Sequence, residues 1–206
     1  RQMCIRDSDD AGVIAVQEGV TEIEAGRTSA NLTLDRRCSI RDDGMWAYTL
    51  DLSGSTSDDK VVVRGMGTGF SILFREGNAA PGIAGASFGS SINEAQILDN
   101  GTVSVRTTLT GLTTATDGAL LADAGSVKLA QEGDMPTAQL FAPNQTYTSF
   151  GGNSFTQSND GSTWTAIATL SGPAGTNSIA IRNNAVLVQE GAVIAGLSSP
   201  VHTIYI

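Results

Sequence analysis

Apolar and polar residues alternate along this chain in short runs, and no stretch carries convincing helical spacing. Val103, Val105 and Thr107 fall on one side of an extended segment and Thr102, Ser104 and Arg106 on the other, the period-two signature of a half-buried strand. Similar runs, rich in Val, Ile, Thr and aromatics and bounded by Gly, Asn, Asp or Ser, predict strands over Lys60–Arg64, Gly69–Arg75, Ile92–Leu98 and Thr102–Leu109. Asp43-Gly44, Asn100-Gly101 and Asp160-Gly161 offer the residues that tolerate positive φ in tight hairpins. Gly118 to Lys128 is apolar but broken by Gly125, and is predicted as a further hairpin. The fold class is all-β.

The runs recur. Glu-Gly closes an alternating apolar segment at Glu18-Gly19, Glu76-Gly77, Glu132-Gly133 and Glu190-Gly191, with the glutamates 58, 56 and 58 residues apart. A second landmark, an Asx-containing turn leading into a strand that ends in Leu-x-Gly, carries turn glycines Gly44, Gly101 and Gly161, spaced 57 and 60. Two landmarks sharing one period define an array with a unit of about 57 residues. Four antiparallel strands per unit, repeated radially, describe a β-propeller blade. The rival architecture is a β-sandwich made from the same hairpins.

Residues 9–206 hold about 3.5 such units, fewer than the 4–8 with which propellers usually close. The last residues, His202–Ile206, read as an interrupted strand. The first eight, RQMCIRDS, back-translate to a stretch containing AGATGTGTATAAGAGACAG, which looks like a transposon end used in sequencing adapters. Residues 1–8 are therefore read as adapter-derived, and residues 9–206 as a single-domain fragment of a longer repeat protein.

The residues REGNAAPG (75–82), SFGSS (87–91) and DNGTVSVRTTL (99–109) resemble a bacterial tandem repeat described by an NxxGxxAF signature and a REGDPAPG-like turn. The Gly-x-x-Ala-aromatic part stands here as Gly44-Met45-Trp46-Ala47-Tyr48, while Arg41, Leu98 and Ser158 occupy the place of the leading Asn. The resemblance covers most of residues 12–200. It implies a secreted or surface-attached bacterial protein with a variable anchor, and implies no particular activity.

Composition narrows the partners. A net charge of -9 argues against a simple nucleic-acid binder, which needs a basic face. No apolar run approaches the roughly 18 residues that span a bilayer as a helix, so no membrane insertion is expected of this segment. With Cys4 in the adapter-like segment, Cys38 stands alone and the redox compartment is not readable. His202 is the single histidine, and no G-x-S-x-G elbow accompanies it. Glu18, Glu76, Glu132 and Glu190 could line one face as a cation or sugar site. Equivalent copies do not supply an acid and a base in different environments, so Glu-Gly reads first as turn chemistry.

Asp42-Asp43, Asp58-Asp59 and Asn159-Asp160 lack the alternating spacing of a calcium loop and read as ordinary turns. Gly65-Met66-Gly67-Thr68-Gly69 precedes a strand, not the helix a phosphate loop needs. Trp46 and Trp164 are either a sugar-stacking platform or core. Cys38 beside Arg37 is either an activated thiol or a small core residue. No catalytic, metal or cofactor residue is assigned. The expected function is a non-catalytic repeat module of a secreted or cell-surface protein serving adhesion, recognition or scaffolding, its partner a surface glycan or protein. The alternatives are a fragment of a propeller enzyme acting on polysaccharide and a structural spacer.

Overall fold

The computed structural model describes residues 2–6, 12–32, 38–202 and 204. Arg37 and most of the expected terminal strand over 202–206 lie outside the described residues, as do Arg1, Asp7 and Ser8 of the adapter-like segment. Strand β1 (Gln2–Arg6) pairs antiparallel with β2 (Gly12–Gln17). Such main-chain pairing is open to any extended segment beside a free strand edge.

Three larger sheets follow in chain order. The first contains β3 (Glu22–Glu24), β4 (Arg27–Asn31), β5 (Ser39–Ile40), β6 (Met45–Leu52), β7 (Lys60–Met66) and β8 (Gly69–Arg75). Its order is β3-β4-β6-β7-β8, with β5 also pairing with β6. The second runs in sequence through β9 (Ser87–Ile97), β10 (Val103–Thr110), β11 (Gly118–Ala122) and β12 (Val127–Gln131). In the third, β13 (Tyr147–Phe150) and β14 (Thr156–Gln157) both pair with β15 (Trp164–Leu170), followed by β16 (Ser178–Arg182) and β17 (Ala185–Gln189). All the strand pairings are antiparallel. A three-residue 3-10 turn, Asp123–Gly125, joins β11 to β12. The all-β, antiparallel class holds.

The four strands expected to form one unit are divided between two sheets, β7 and β8 in the first and β9 and β10 in the second. The reason lies in the connections. β7 and β8 close through Gly67-Thr68, and β9 and β10 through the turn at Gly101, but residues 76–86 form a long connection that leaves one sheet and begins the next. Each internal Glu-Gly thus marks a junction between sheets.

The sheets stack face on face. Ala47, Val62 and Phe74 of the first meet Ile92, Ala95, Val103 and Leu121 of the second, and the Phe74 and Phe88 rings stack at 4.4 Å. From the second sheet's other face, Leu120 and Ala130 meet Tyr147, Phe155 and Ile179 of the third. Trp46, Tyr48 and Leu50, on the first sheet's remaining face, pack with Ala15 and Val16 of β2. A central sheet is therefore covered on both sides. This corrects the half-buried reading of β10, because Ser104, on its polar face, is fully buried.

Polar joints sew the stack together. Ile97 N–H donates to Ser39 Oγ at 3.0 Å between the first two sheets. Between the second and third, Gln157 N–H donates to Gln96 Oε1 and Asp99 N–H to the Asn159 carbonyl, both at 2.7 Å. The strongest joint is Glu94. The ladder of β9 and β10 shifts between Ser104 and Arg106, and Glu94 sits in this bulge at φ 57. A bulge re-aims a side chain. Here Ala95 stays in the core against the first sheet, while the Glu94 carboxylate faces the third and accepts from Asn153 N–H at 2.7 Å and Phe155 N–H at 2.9 Å. Arg106 Nε completes the set at 2.6 Å.

Candidate functional site

The four Glu-Gly pairs occupy one kind of turn. The residue after each glycine donates back across the turn, from Val20 to Gln17, Asn78 to Arg75, Asp134 to Gln131 and Ala192 to Gln189, at 3.0–3.1 Å. The glycines have φ of 73, 82, 88 and 84°, the left-handed region that favours glycine. Gly19, Gly77, Gly133 and Gly191 each donate forward, to the carbonyls of Ser29, Phe88, Tyr147 and Val201, at 2.7–2.9 Å. Three of these turns show why glutamine precedes the pair or why its substitute matters: Gln131 and Gln189 donate through Nε2 to the Thr116 and Thr176 carbonyls, whereas Arg75 pairs with Glu24 and Asp58.

The carboxylates of two of these pairs reach backbone N–H groups 14 residues away, Glu18 accepting from Leu32 at 3.4 Å and Glu132 from Gly118, whereas one buried oxygen of Glu76 has no hydrogen-bond partner. Glu132 is buried and accepts from Gly118 N–H at 2.9 Å. Burial pushes its carboxyl up, opposed by that N–H and reinforced by the neighbouring Asp117. Glu76 is also shifted up, by burial first and then by Asp59. A carboxyl whose folded pKa exceeds its unfolded one binds more protons folded than unfolded between the two values. Its stabilising contribution is then complete at and below the unfolded pKa and is lost as pH rises through the raised folded value. Glu132→Gln keeps an oxygen acceptor for Gly118 and removes the titration. Urea unfolding over a pH series is expected to show wild-type stability falling relative to this variant across that window; parallel curves would contradict it.

The Asx-Gly landmark is equally local. Asp43, Asn100 and Asp160 each accept through Oδ1 from the N–H two residues on, at 3.0–3.1 Å, and Gly44, Gly101 and Gly161 have φ of 81, 78 and 76°. Of the adjacent acidic pairs, Asp58 faces Arg27 and Arg75 while Asp59 lies beside Glu76. No three His, Cys, Asp or Glu side chains converge as a metal site among the described residues.

Trp46 and Trp164 are buried, so neither offers a stacking face to solvent. His202 is exposed. Cys38 contradicts the expected core placement, because it precedes a two-residue strand and is exposed. Nor is it activated: desolvation raises the thiol to about 11, even though the residue as a whole is exposed.

Sequence reasoning missed the most distinctive polar site. A groove of about 320 Å³ opens where the turn 158–161 of the third sheet meets the second. Leu98, Ala122, Val127 and Leu129 give it an aliphatic lining, and Asn100, Thr102, Asp123, Gln157, Asp160 and Ser162 its polar side chains. Gln157 is 5% exposed, and its Oε1 has no hydrogen-bond partner, while its Nε2 donates to the Gly161 carbonyl at 2.8 Å. Asp160 is held ionised, its pKa lowered to about 2 by the Ser158 hydroxyl, then by the Ser162 N–H and hydroxyl. In the run SFTQSND (154–160) Gln157 reads as one more polar residue leading into a turn; its burial comes from the sheet packed over it. A second groove, of about 440 Å³, is lined by Met135, Phe141 and Pro143 in the connection between the second and third sheets.

The chain matches no protein-family model, no curated protein and no solved structure.

Proposed function

We propose that this chain is a non-catalytic recognition module of a secreted or cell-surface bacterial protein, its consecutive sheets acting as blades of a propeller-like array. The observation that carries the reading is the recurrence of one junction. Glu-Gly closes a strand, the glycine donates forward, and at the internal junctions a new antiparallel sheet then begins against the last. A scaffold of this kind spends its sheet faces on neighbouring sheets and leaves rims and loops for partners. Glu18, Glu132 and the three Asx residues Asp43, Asn100 and Asp160 are engaged in holding backbone, which favours binding over acid–base chemistry as the role of the rims.

Two measurements test this. Duplicating residues 76–132 in tandem is expected to give a longer chain that unfolds cooperatively at a higher midpoint, because each added unit brings one more interface; loss of folding would sink the array. The unaltered chain, applied to arrayed surface glycans and extracellular proteins, is expected to bind saturably and leave its targets intact. Progressive depolymerisation of an arrayed polysaccharide would overturn the non-catalytic reading.

A further inference from the structure

The two sheet boundaries are built alike, and they differ at one place. At the first, the turn 98–101 of the second sheet receives two guanidinium groups from the first sheet. Arg41 Nη1 donates to the Leu98 carbonyl at 3.3 Å, and Arg64 Nη1 donates to the Gly101 carbonyl. A Cβ placed on Gly101 would lie 3.6 Å from the Arg41 nitrogen and 3.8 Å from that of Arg64.

The register identifies the corresponding residues at the second boundary. Gly44 N–H bonds the Arg41 carbonyl as Gly101 N–H bonds that of Leu98, so Leu98 stands in the place of Arg41. Tyr48 pairs with Val63, and Val105, the same distance beyond its turn glycine, pairs with Leu121. The residue after Val63 is Arg64, and the residue after Leu121 is Ala122. Both arginines are thus replaced by aliphatic residues, and Leu98 and Ala122 are the ones that line the 320 Å³ groove. The receiving turn is rearranged: Asp99-Asn100 becomes Asn159-Asp160, which moves the carboxylate to the position that lines the groove, and Ile97, a core residue, becomes Gln157 with its unpartnered Oε1.

The Gly161 carbonyl, counterpart of the one that Arg64 reaches, accepts from Gln157 Nε2, which leaves Gln157 Oε1 and the carboxylates of Asp123 and Asp160 as the acceptors of this groove. The Ser162 hydroxyl is spent on Asp160 and the Thr102 hydroxyl on Asn100. A sugar hydroxyl brings an acceptor as well as a donor, whereas a guanidinium brings five donors and none to satisfy, matches a carboxylate with two parallel bonds, and arrives on a methylene stem suited to Leu98 and Val127. We propose that the rim groove between the second and third sheets receives an arginine side chain from a partner polypeptide, in the place that Arg41 and Arg64 fill at the preceding boundary.

This names the partner chemistry of the recognition module and rests on that reading. The test titrates the isotope-labelled full chain with N-acetyl-L-arginine amide while following its amide resonances by NMR. Saturable shifts of the Gln157 side-chain amide and the Gly161 and Ser162 backbone amides are expected in the millimolar range. N-acetyl-L-citrulline amide, isosteric but uncharged, should bind about tenfold more weakly, as should arginine amide to Asp160→Asn, each a loss near 1.4 kcal/mol. Ala122→Arg should fill the groove from within and abolish the shifts while unfolding at or above the wild-type midpoint. Should Ala122→Arg not fold, the exposed Asp160→Asn comparison decides alone. Absence of saturable shifts, equal binding of citrulline, or undiminished binding to Asp160→Asn would overturn the proposal. If the arrayed targets are still bound while arginine amide is not, the recognition reading survives and the arginine site falls.

Discussion

Replacing Glu94 by alanine is expected to cost about 3–5 kcal/mol, the largest loss from any single polar substitution in this chain. The glutamate side chain is 2% exposed and is the carboxylate that holds Arg106 among the described residues. Removing it leaves the Arg106 guanidinium and the buried Phe155 N–H without their carboxylate between two sheets, and a buried donor stripped of its acceptor carries its desolvation penalty. For a chain of this length, about 2–4 °C per kcal/mol predicts a midpoint lowered by on the order of 10 °C in thermal unfolding. Glu94→Gln, which keeps an acceptor, should lose less. Adding Arg106→Ala to the alanine variant should recover part of the loss by removing the stranded charge. The exposed pair Lys128–Asp134, at 38% and 36% side-chain exposure, should contribute little by comparison. A Glu94→Ala midpoint within 2 °C of wild type, on the order of experimental scatter, would refute the joint as a stabilising element.

Trp46→Ala should be comparably severe, at about 3–5 kcal/mol. The indole is fully buried in the first sheet, where it pairs across the ladder with Gly65 and donates through Nε1 to the Gly67 carbonyl at 3.2 Å. Its ring lies over that glycine: a Cβ on Gly65 would come within 2.5 Å of Trp46 Cζ2 and 2.4 Å of the Gly69 carbonyl oxygen. Gly65→Ala is thus expected to cost about 1–3 kcal/mol by overpacking. The two changes are coupled, since emptying the indole site relieves one of the two clashes. Guanidinium unfolding of both variants and of the double variant should show Gly65→Ala costing less without the tryptophan; strict additivity would mean that the ring is not what excludes a side chain there.

The strands were legible because their residues carry the signal locally. Lys60–Arg64 and Gly69–Arg75 fall inside β7 and β8, and Thr102–Leu109 nearly coincides with β10. The Glu-Gly and Asx-Gly pairs were legible as turns for the same reason, since a positive φ at glycine is a property of a few adjacent residues. Sheet membership was not legible: nothing in residues 76–86 announces that the connection leaves one sheet for the next. Glu94 escaped notice because its bulge breaks the alternation that a period-two reading assumes. Gln157, Leu98 and Ala122 become a site only when two segments some 30–60 residues apart are set side by side. Cys38 misled in the other direction, because an apolar residue beside a short edge strand need not be covered.

At each joint between sheets, at least one partner is the main chain: Ile97, Asp99, Asn153, Phe155 and Gln157 all contribute a backbone N–H. A donor of this kind is supplied by every residue type except proline. The receiving side of each seam can therefore drift in sequence at little cost, so long as proline stays out and the opposing core volume is kept. Selection needs to police the reaching side chains, Ser39, Arg41, Arg64, Glu94 and Gln96. Mutational scanning of these seams should accordingly be lopsided, intolerant on one bank and permissive on the other.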